Sequence, residues 1–339
     1  MKNKILALLA TIGMVSSVSA VEINENISIN GFIDASYVNS DFTDKSTPAN
    51  NNDISNSAVD EVELNFIVNA GNVDGELHID STDAADDRTL EIEQVHFTYS
   101  FENGASLKVG RFGSALGFER EDPAGLYTFS RAYGTNTYDL GNVDSDSVSG
   151  TNGNVFEGFN IGYAADSFAL SLAVGNDIAA TEEDNANEDD YDYELAITYT
   201  GIENLSVTVG TSTENTSDPK VGTANADTDL YTINAAYTIN KLLLGGEYIS
   251  TETDGAQDLS AYMLIADYDI TDTLGAALRY SEWEGINGTA TTETDKVTFA
   301  ANYAITESLG AIVEFSTEEL SGGANAGDET DSFAEIGRA

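Results

Sequence analysis

From residue 26 onward, apolar and polar residues alternate with a period of two rather than 3.6. The segments Tyr191 to Tyr199, Leu230 to Ile239, Val297 to Ile305 and Leu309 to Phe315 show this most clearly. In the third, one face carries Val297, Phe299, Ala301, Tyr303 and Ile305, and the other carries Thr298, Ala300, Asn302 and Ala304. Successive strand side chains point to opposite faces, so the pattern predicts strands with one apolar and one polar face. The first three segments are 9 to 10 residues long, about the length of a tilted membrane-crossing strand.

The connections alternate in length. Short turns are predicted at Gly71-Asn72, Asn103-Gly104, Ala165-Asp166, Gly201 to Asn204, Asn240-Lys241, Thr271-Asp272 and Thr306-Glu307. Longer polar linkers fall at 39–58, 82–88, 113–154, 177–190, 214–227, 252–258, 285–294 and 319–330. Together they separate sixteen strands. An even number of strands, with short turns at one end and long loops at the other, predicts an all-β, transmembrane antiparallel β-barrel.

Aromatic residues mark the strand ends. Tyr99, Phe101, Tyr163, Tyr199, Tyr237, Tyr268 and Tyr303 precede the short turns, and Tyr37, Tyr191, Tyr193, Tyr231, Tyr248, Tyr262, Tyr280 and Phe315 stand at the opposite ends. Such rows are expected where strands leave a bilayer at its two interfaces. Hydrocarbon cannot satisfy a free sheet edge, so the strands must close on themselves. A closed sheet of sixteen strands is wide enough for an aqueous channel.

Composition sharpens this picture. The chain has 59 acidic and 13 basic residues, a net charge of −46, and no Cys. Nucleic-acid binding needs a basic surface that this chain lacks. Disulfides and Cys-based metal sites are excluded. The 16 Tyr and 14 Phe argue against disorder. At the N-terminus, Lys2 and Lys4 precede an apolar run from Ile5 to Val15, and Val18-Ser19-Ala20 is a small-residue cleavage site. Residues 1–20 therefore read as an export signal and 21–339 as the barrel.

One stretch carries a family resemblance. Leu107-Lys-Val-Gly-Arg111-Phe-Gly-Ser-Ala-Leu-Gly-Phe118-Glu, followed by Phe129-Ser-Arg131-Ala-Tyr133, resembles the fifth strand of the 16-stranded Gram-negative outer-membrane porins running into their third loop. The resemblance implies a long third loop, here 113–154, folded into the lumen. It also implies loop acids facing basic wall residues at a constriction, passive diffusion of small hydrophilic solutes, and a homotrimer in outer-membrane lipid and lipopolysaccharide. The family ends in an aromatic residue, whereas this chain ends Phe333-Ala-Glu-Ile-Gly-Arg-Ala339. The final strand is thus either altered or differently registered.

The constriction candidates are Glu119, Arg120, Glu121, Asp122 and Arg131 in the loop, with Lys108, Arg111, Arg279 and Lys296 on the wall. Alternation points Arg279, Lys296 and Lys108 inward. It puts Arg111 nominally on the outer face, so a place above the hydrocarbon or past a bulge is expected. Inward acids are expected at Asp34, Glu61, Glu63, Glu76, Asp80, Glu194, Glu247 and Glu314, together with Phe32, Phe112 and Trp283. Acids outnumber bases among these positions, so cation preference is expected. The acidic linkers read as solvated surface; none fits a Ca²⁺-loop spacing. His78 and His96 fall on polar faces without a catalytic motif, so no enzyme, cofactor or metal is expected. Two other readings are open: a surface adhesin or structural barrel with a blocked pore, and a solute-specific channel.

Overall fold

The computed structural model describes residues 20–43, 52–82, 90–119, 126–133, 155–176, 191–214, 228–253, 258–287, 290–322 and 328–338. Of the proposed signal, residues 1–20, only Ala20 falls among them. Seventeen strands are present among these residues: β1 Val21–Asn24, β2 Ile27–Thr43, β3 Asn52–Ala70, β4 Val73–Thr82, β5 Glu91–Ser100, β6 Ala105–Gly113, β7 Val155–Ala164, β8 Phe168–Asn176 and β9 Asp192–Tyr199. They continue with β10 Leu205–Glu214, β11 Thr228–Ile239, β12 Leu242–Thr253, β13 Leu259–Asp269, β14 Leu274–Asn287, β15 Ala290–Ala304, β16 Gly310–Ser321 and β17 Glu329–Arg338.

Each of β2 to β17 pairs antiparallel with the next, and β17 pairs back onto β2 from Glu329↔Thr43 to Arg338↔Asp34. The sixteen strands form a closed barrel with no free edge, as hydrocarbon requires. The short β1 turns back on β2 at Asn26 and pairs Val21 with Ile29. It covers β2 beyond the reach of β17, an addition the alternation did not show. Phe333 lies within β17, opposite Asn39, and its ring stacks 4.8 Å from that of Phe315.

All seven predicted turns join consecutive strands. Asn204 and Asn240 adopt left-handed φ of 62° and 55°, which asparagine tolerates better than most residues. Three predicted linkers are shorter than expected. Strand pairing runs through much of 39–58, 285–294 and 319–330, so that Asn287 pairs directly with Ala290. In these extensions most residues are polar, with only scattered apolar ones such as Phe42, Ile54 and Leu320, so alternation is lost although the ladder persists.

The outward face is apolar: Ile33, Leu64, Phe97, Phe159, Ile233, Leu264, Leu278, Phe299 and Phe315 are all exposed. Both predicted aromatic rows lie on this face. The inward face divides in two. On β9 and β11 to β17 it is mixed: small and apolar residues (Ala196, Ala236, Ile249, Met263, Ile265, Ala277, Ala300, Ile312 and Ala334) are buried among charged ones of both signs, Asp192, Glu194, Glu247, Asp267, Arg279, Lys296 and Glu314. On β2 to β6 it is acidic, with Asp34, Glu61, Glu63 and Glu93 buried.

Candidate functional site

The third loop, called L3 here, leaves β6 at Gly113, and its described parts are 114–119 and 126–133. Both parts bond to inward-facing polar residues of β9 and β14 to β16. At the start, Ser114 Oγ and the Ala115 amide donate to the Glu194 carboxylate of β9, the latter at 2.8 Å. On the return, the Phe129 amide donates to Glu314 Oε2 of β16 at 2.6 Å, and the Ser130 amide donates to the same oxygen at 3.1 Å. Asn302 Nδ2 of β15 donates to the Tyr127 carbonyl at 3.0 Å, and Ser281 Oγ of β14 donates to the Ala132 carbonyl.

Arg279 of β14 stands at the centre. Its Nη1 donates to Glu119 Oε1 and, at 2.7 Å, to Thr128 Oγ1. Its Nη2 donates to the Arg131 carbonyl at 2.7 Å and to Ser130 Oγ at 3.2 Å. Glu119 also accepts the Ala132 amide at 2.6 Å, so one carboxylate joins both parts of L3 to one guanidinium. An arginine has five donors in a rigid fork, which suits it to such a hub.

Apolar contacts complete the dock. Phe118, Tyr127 and Ala132 pack into the cluster containing Met263, Ile265, Ala277 and Ala300. Leu116 packs on Ala196, Leu230 and Ile249. A Cβ placed on Gly245 would collide with the Phe118 ring, and one on Gly210 would collide with the Leu116 side chain. The bare backbone at these two wall positions is what lets L3 lie flat. Tyr133 meets Trp283 edge-on at 6.5 Å. Burial, together with Glu247 and Glu119 nearby, pushes the Tyr133 hydroxyl well above the usual tyrosine range, so it is neutral.

The sequence candidates divide accordingly. Arg279, Glu119 and the Arg131 backbone meet at this hub. Lys296 points inward as expected and pairs with Glu318 of β16 at 2.8 Å. Lys108 points inward, with its Nζ 5.5 Å from the Phe112 ring centroid. Arg111 lies on the outward face with Val95 and Glu157 as its cross-strand partners. Its Nη1 stands 3.4 Å from Glu157 Oε1 and its Nε donates to the Glu93 carbonyl. No bulge intervenes along β6 to turn Arg111 inward, so the structure does not bring it to L3. Arg120, Glu121 and Asp122 lie outside the described residues. Sequence reasoning placed Glu194 and Glu314 inward but missed that they anchor L3. Their separation from L3, 185 residues for the Glu314–Phe129 contact, leaves no local signal.

A closed sixteen-stranded barrel with a lipid-compatible outer face, a polar inner arc and a loop bonded to the inner wall defines the outer-membrane channel class. The chain belongs to the Gram-negative porin family, whose sequence profile matches residues 6–323. The fold is similar to that of OmpF from Salmonella typhi, solved in complex with daunomycin, with a TM-score of 0.66 and 11% identity over 94% of this chain and 100% of that one. It is similar to an anion-selective porin from Comamonas acidovorans, with a TM-score of 0.65 and 13% identity over 92% and 99%. The trimer form of OmpT from Vibrio cholerae gives 0.59 and 13% over 93% and 99%. A comparison with curated protein sequences finds no significant match.

Proposed function

We propose that the barrel is a cation-preferring pore for passive diffusion of small hydrophilic solutes and ions, narrowed by L3, with Glu119, Arg279 and Arg131 at the narrowing. The observation that carries this reading is the excess of carboxylates on the part of the inner wall that L3 does not bond to. L3 bonds to β9 and β14 to β16, so the solute path runs between L3 and the arc formed by β2 to β6. That arc carries the half-buried Glu76 and Asp80, with Asp34, Glu61, Glu63 and Glu93 buried in the wall beside them and Lys108 as its permanent cation. Fixed carboxylates in a confined aqueous path concentrate cations and repel anions. The anion-selective relative shares the fold, so selectivity must follow the wall charges rather than the architecture.

On this reading residues 1–20 direct export and are removed, and the barrel resides in the outer membrane beside lipopolysaccharide. A homotrimer is the proposed assembly, supported by the trimer form of the Vibrio cholerae relative. Liposomes loaded with an impermeant polymer test pore formation. Protein-containing vesicles should swell in isosmotic small sugars, faster for smaller sugars. Vesicles that stay shrunken would favour a structural or adhesive barrel with a blocked lumen. Equal rates for unrelated sugars of one size would set aside a solute-specific channel.

A further inference from the structure

The only two histidines of the chain, His78 and His96, stand on neighbouring strands within the acidic arc. His78 of β4 lies between carboxylates on both sides. Its Nδ1 is 3.2 Å from Glu63 Oε1 of β3 and 3.8 Å from Glu93 Oε2 of β5. These three ligand atoms, one imidazole nitrogen and two carboxylate oxygens, lie within 4.8 Å of one another. Two ligands about 2.0–2.1 Å from a tetrahedral metal stand about 3.3–3.4 Å apart, close to the spacing here.

Three further features set this cluster apart from a chance gathering of acids. First, Nε2 of His78 is 3.2 Å from Glu76 Oε2. That contact would hold Nε2–H when a metal replaces the proton on Nδ1, the ring nitrogen that faces Glu63 and Glu93. A carboxylate behind a histidine is the usual support of a metal-binding imidazole. Second, the Glu63 side chain is 1% exposed, and its Oε2 has no hydrogen-bond partner among the described residues. A buried carboxylate with an open oxygen is costly unless a cation joins it. Third, the β4–β5 register shifts between His78 and Ile79, making Glu93 the bulged residue. The bulge turns Glu93 inward beside His78, whereas strict alternation from Ile92 and Val95 allows one inward residue where the strand supplies two.

We propose that Glu63, His78 and Glu93 form a lumenal binding site for a divalent transition-metal cation of the Zn²⁺ class, with Glu76 as the positioning residue for His78. The imidazole selects this class: Mg²⁺ and Ca²⁺ prefer all-oxygen shells, whereas Zn²⁺ takes nitrogen and carboxylate oxygen together. The site needs only the barrel wall, so its failure and the failure of the open-pore reading are separate results.

The test is calorimetric titration of Zn²⁺ into folded protein in detergent micelles with millimolar Mg²⁺ present to occupy oxygen-only sites. The wild type should take up a single Zn²⁺ per chain that Mg²⁺ does not displace. His78→Gln should weaken that binding at least tenfold, and Glu76→Gln by about 10–100-fold. The outward acidic cluster of Glu282, Glu293 and Asp295 serves as the control. Glu282→Gln with Asp295→Asn should leave Zn²⁺ affinity unchanged. The heat-dependent gel shift of β-barrels confirms folding, and Glu93→Gln replaces His78→Gln if the latter does not fold. The absence of a saturable wild-type site overturns the proposal. So does unchanged affinity in folded His78→Gln or Glu93→Gln, or loss of binding in the outer-cluster variant.

Discussion

Arg279 of β14 and Glu119 of L3 form an ion pair inside the barrel, and the guanidinium side chain is wholly withdrawn from solvent. The two residues are 160 positions apart in sequence, and their contact links the loop to the wall opposite the acidic arc. Removing one partner of a buried pair costs about 3–5 kcal/mol, because the other charge is left uncompensated. Arg279→Gln should therefore release L3 from the wall. Trp283, the only tryptophan in the chain, packs against Tyr133 of L3 and reports this directly. Its emission should shift to the red in Arg279→Gln, and a protease should cut L3 in the folded barrel. An unchanged spectrum with resistance to protease would contradict the tether.

Glu194 and Glu314 hold the two described parts of L3 from separate strands. Each accepts two donors as a charged group, and a charged hydrogen bond contributes roughly 1 kcal/mol more than a neutral one. Glu194→Gln and Glu314→Gln should each raise the native-state cleavage rate of L3 severalfold. Because the sites share no partner, the double variant should multiply the two effects. A double variant no faster than either single one would show that only one anchor holds the loop.

Gly245 lies under the Phe118 ring. Gly245→Val should push Phe118 and L3 off the wall toward the acidic arc and narrow the path, giving a smaller unit conductance together with the Trp283 red shift. Gly75→Ala is the matched control, since its nearest neighbour would be an ordinary 3.8 Å away, at Val68. Equal conductance in Gly245→Val and wild type would mean that L3 does not set the bore.

The outer face must be lipid-compatible. Leu264→Arg or Leu278→Arg should cost about 2–4 kcal/mol near the midplane. The absence of native Cys makes labelling an independent check. In liposomes a water-soluble thiol reagent should modify Lys108→Cys and spare Val109→Cys, its outward neighbour. The reverse pattern would invert the assigned face of β6.

The strands, the turns and the inward aim of Arg279, Lys296 and Lys108 were legible because one face meets hydrocarbon and the other does not. That contrast imposes a period of two wherever the sheet crosses the membrane. It vanishes where β2, β3 and β14 to β17 extend beyond the bilayer, and those strand ends read as loops. Glu93 was illegible for a related reason, since a bulge breaks the parity that alternation relies on. The docking of L3 was hidden more deeply. Ala277, Ala300 and Gly245 look unremarkable one at a time, and only closure of the barrel gathers them into a shallow apolar bed. Arg111 shows the pattern working against a family expectation: parity put it on the outer face, and there it pairs with Glu157.

The central claim concerns the sign of the wall charge, and the reversal potential of single channels in a planar bilayer under a KCl gradient measures that sign. The wild type should reverse at a potential of the cation-selective sign, and replacing Asp34, Glu61 and Glu63 by Asn, Gln and Gln should move it toward zero. A wild-type reversal potential of the anion-selective sign, or one unmoved by the triple replacement, would contradict the account.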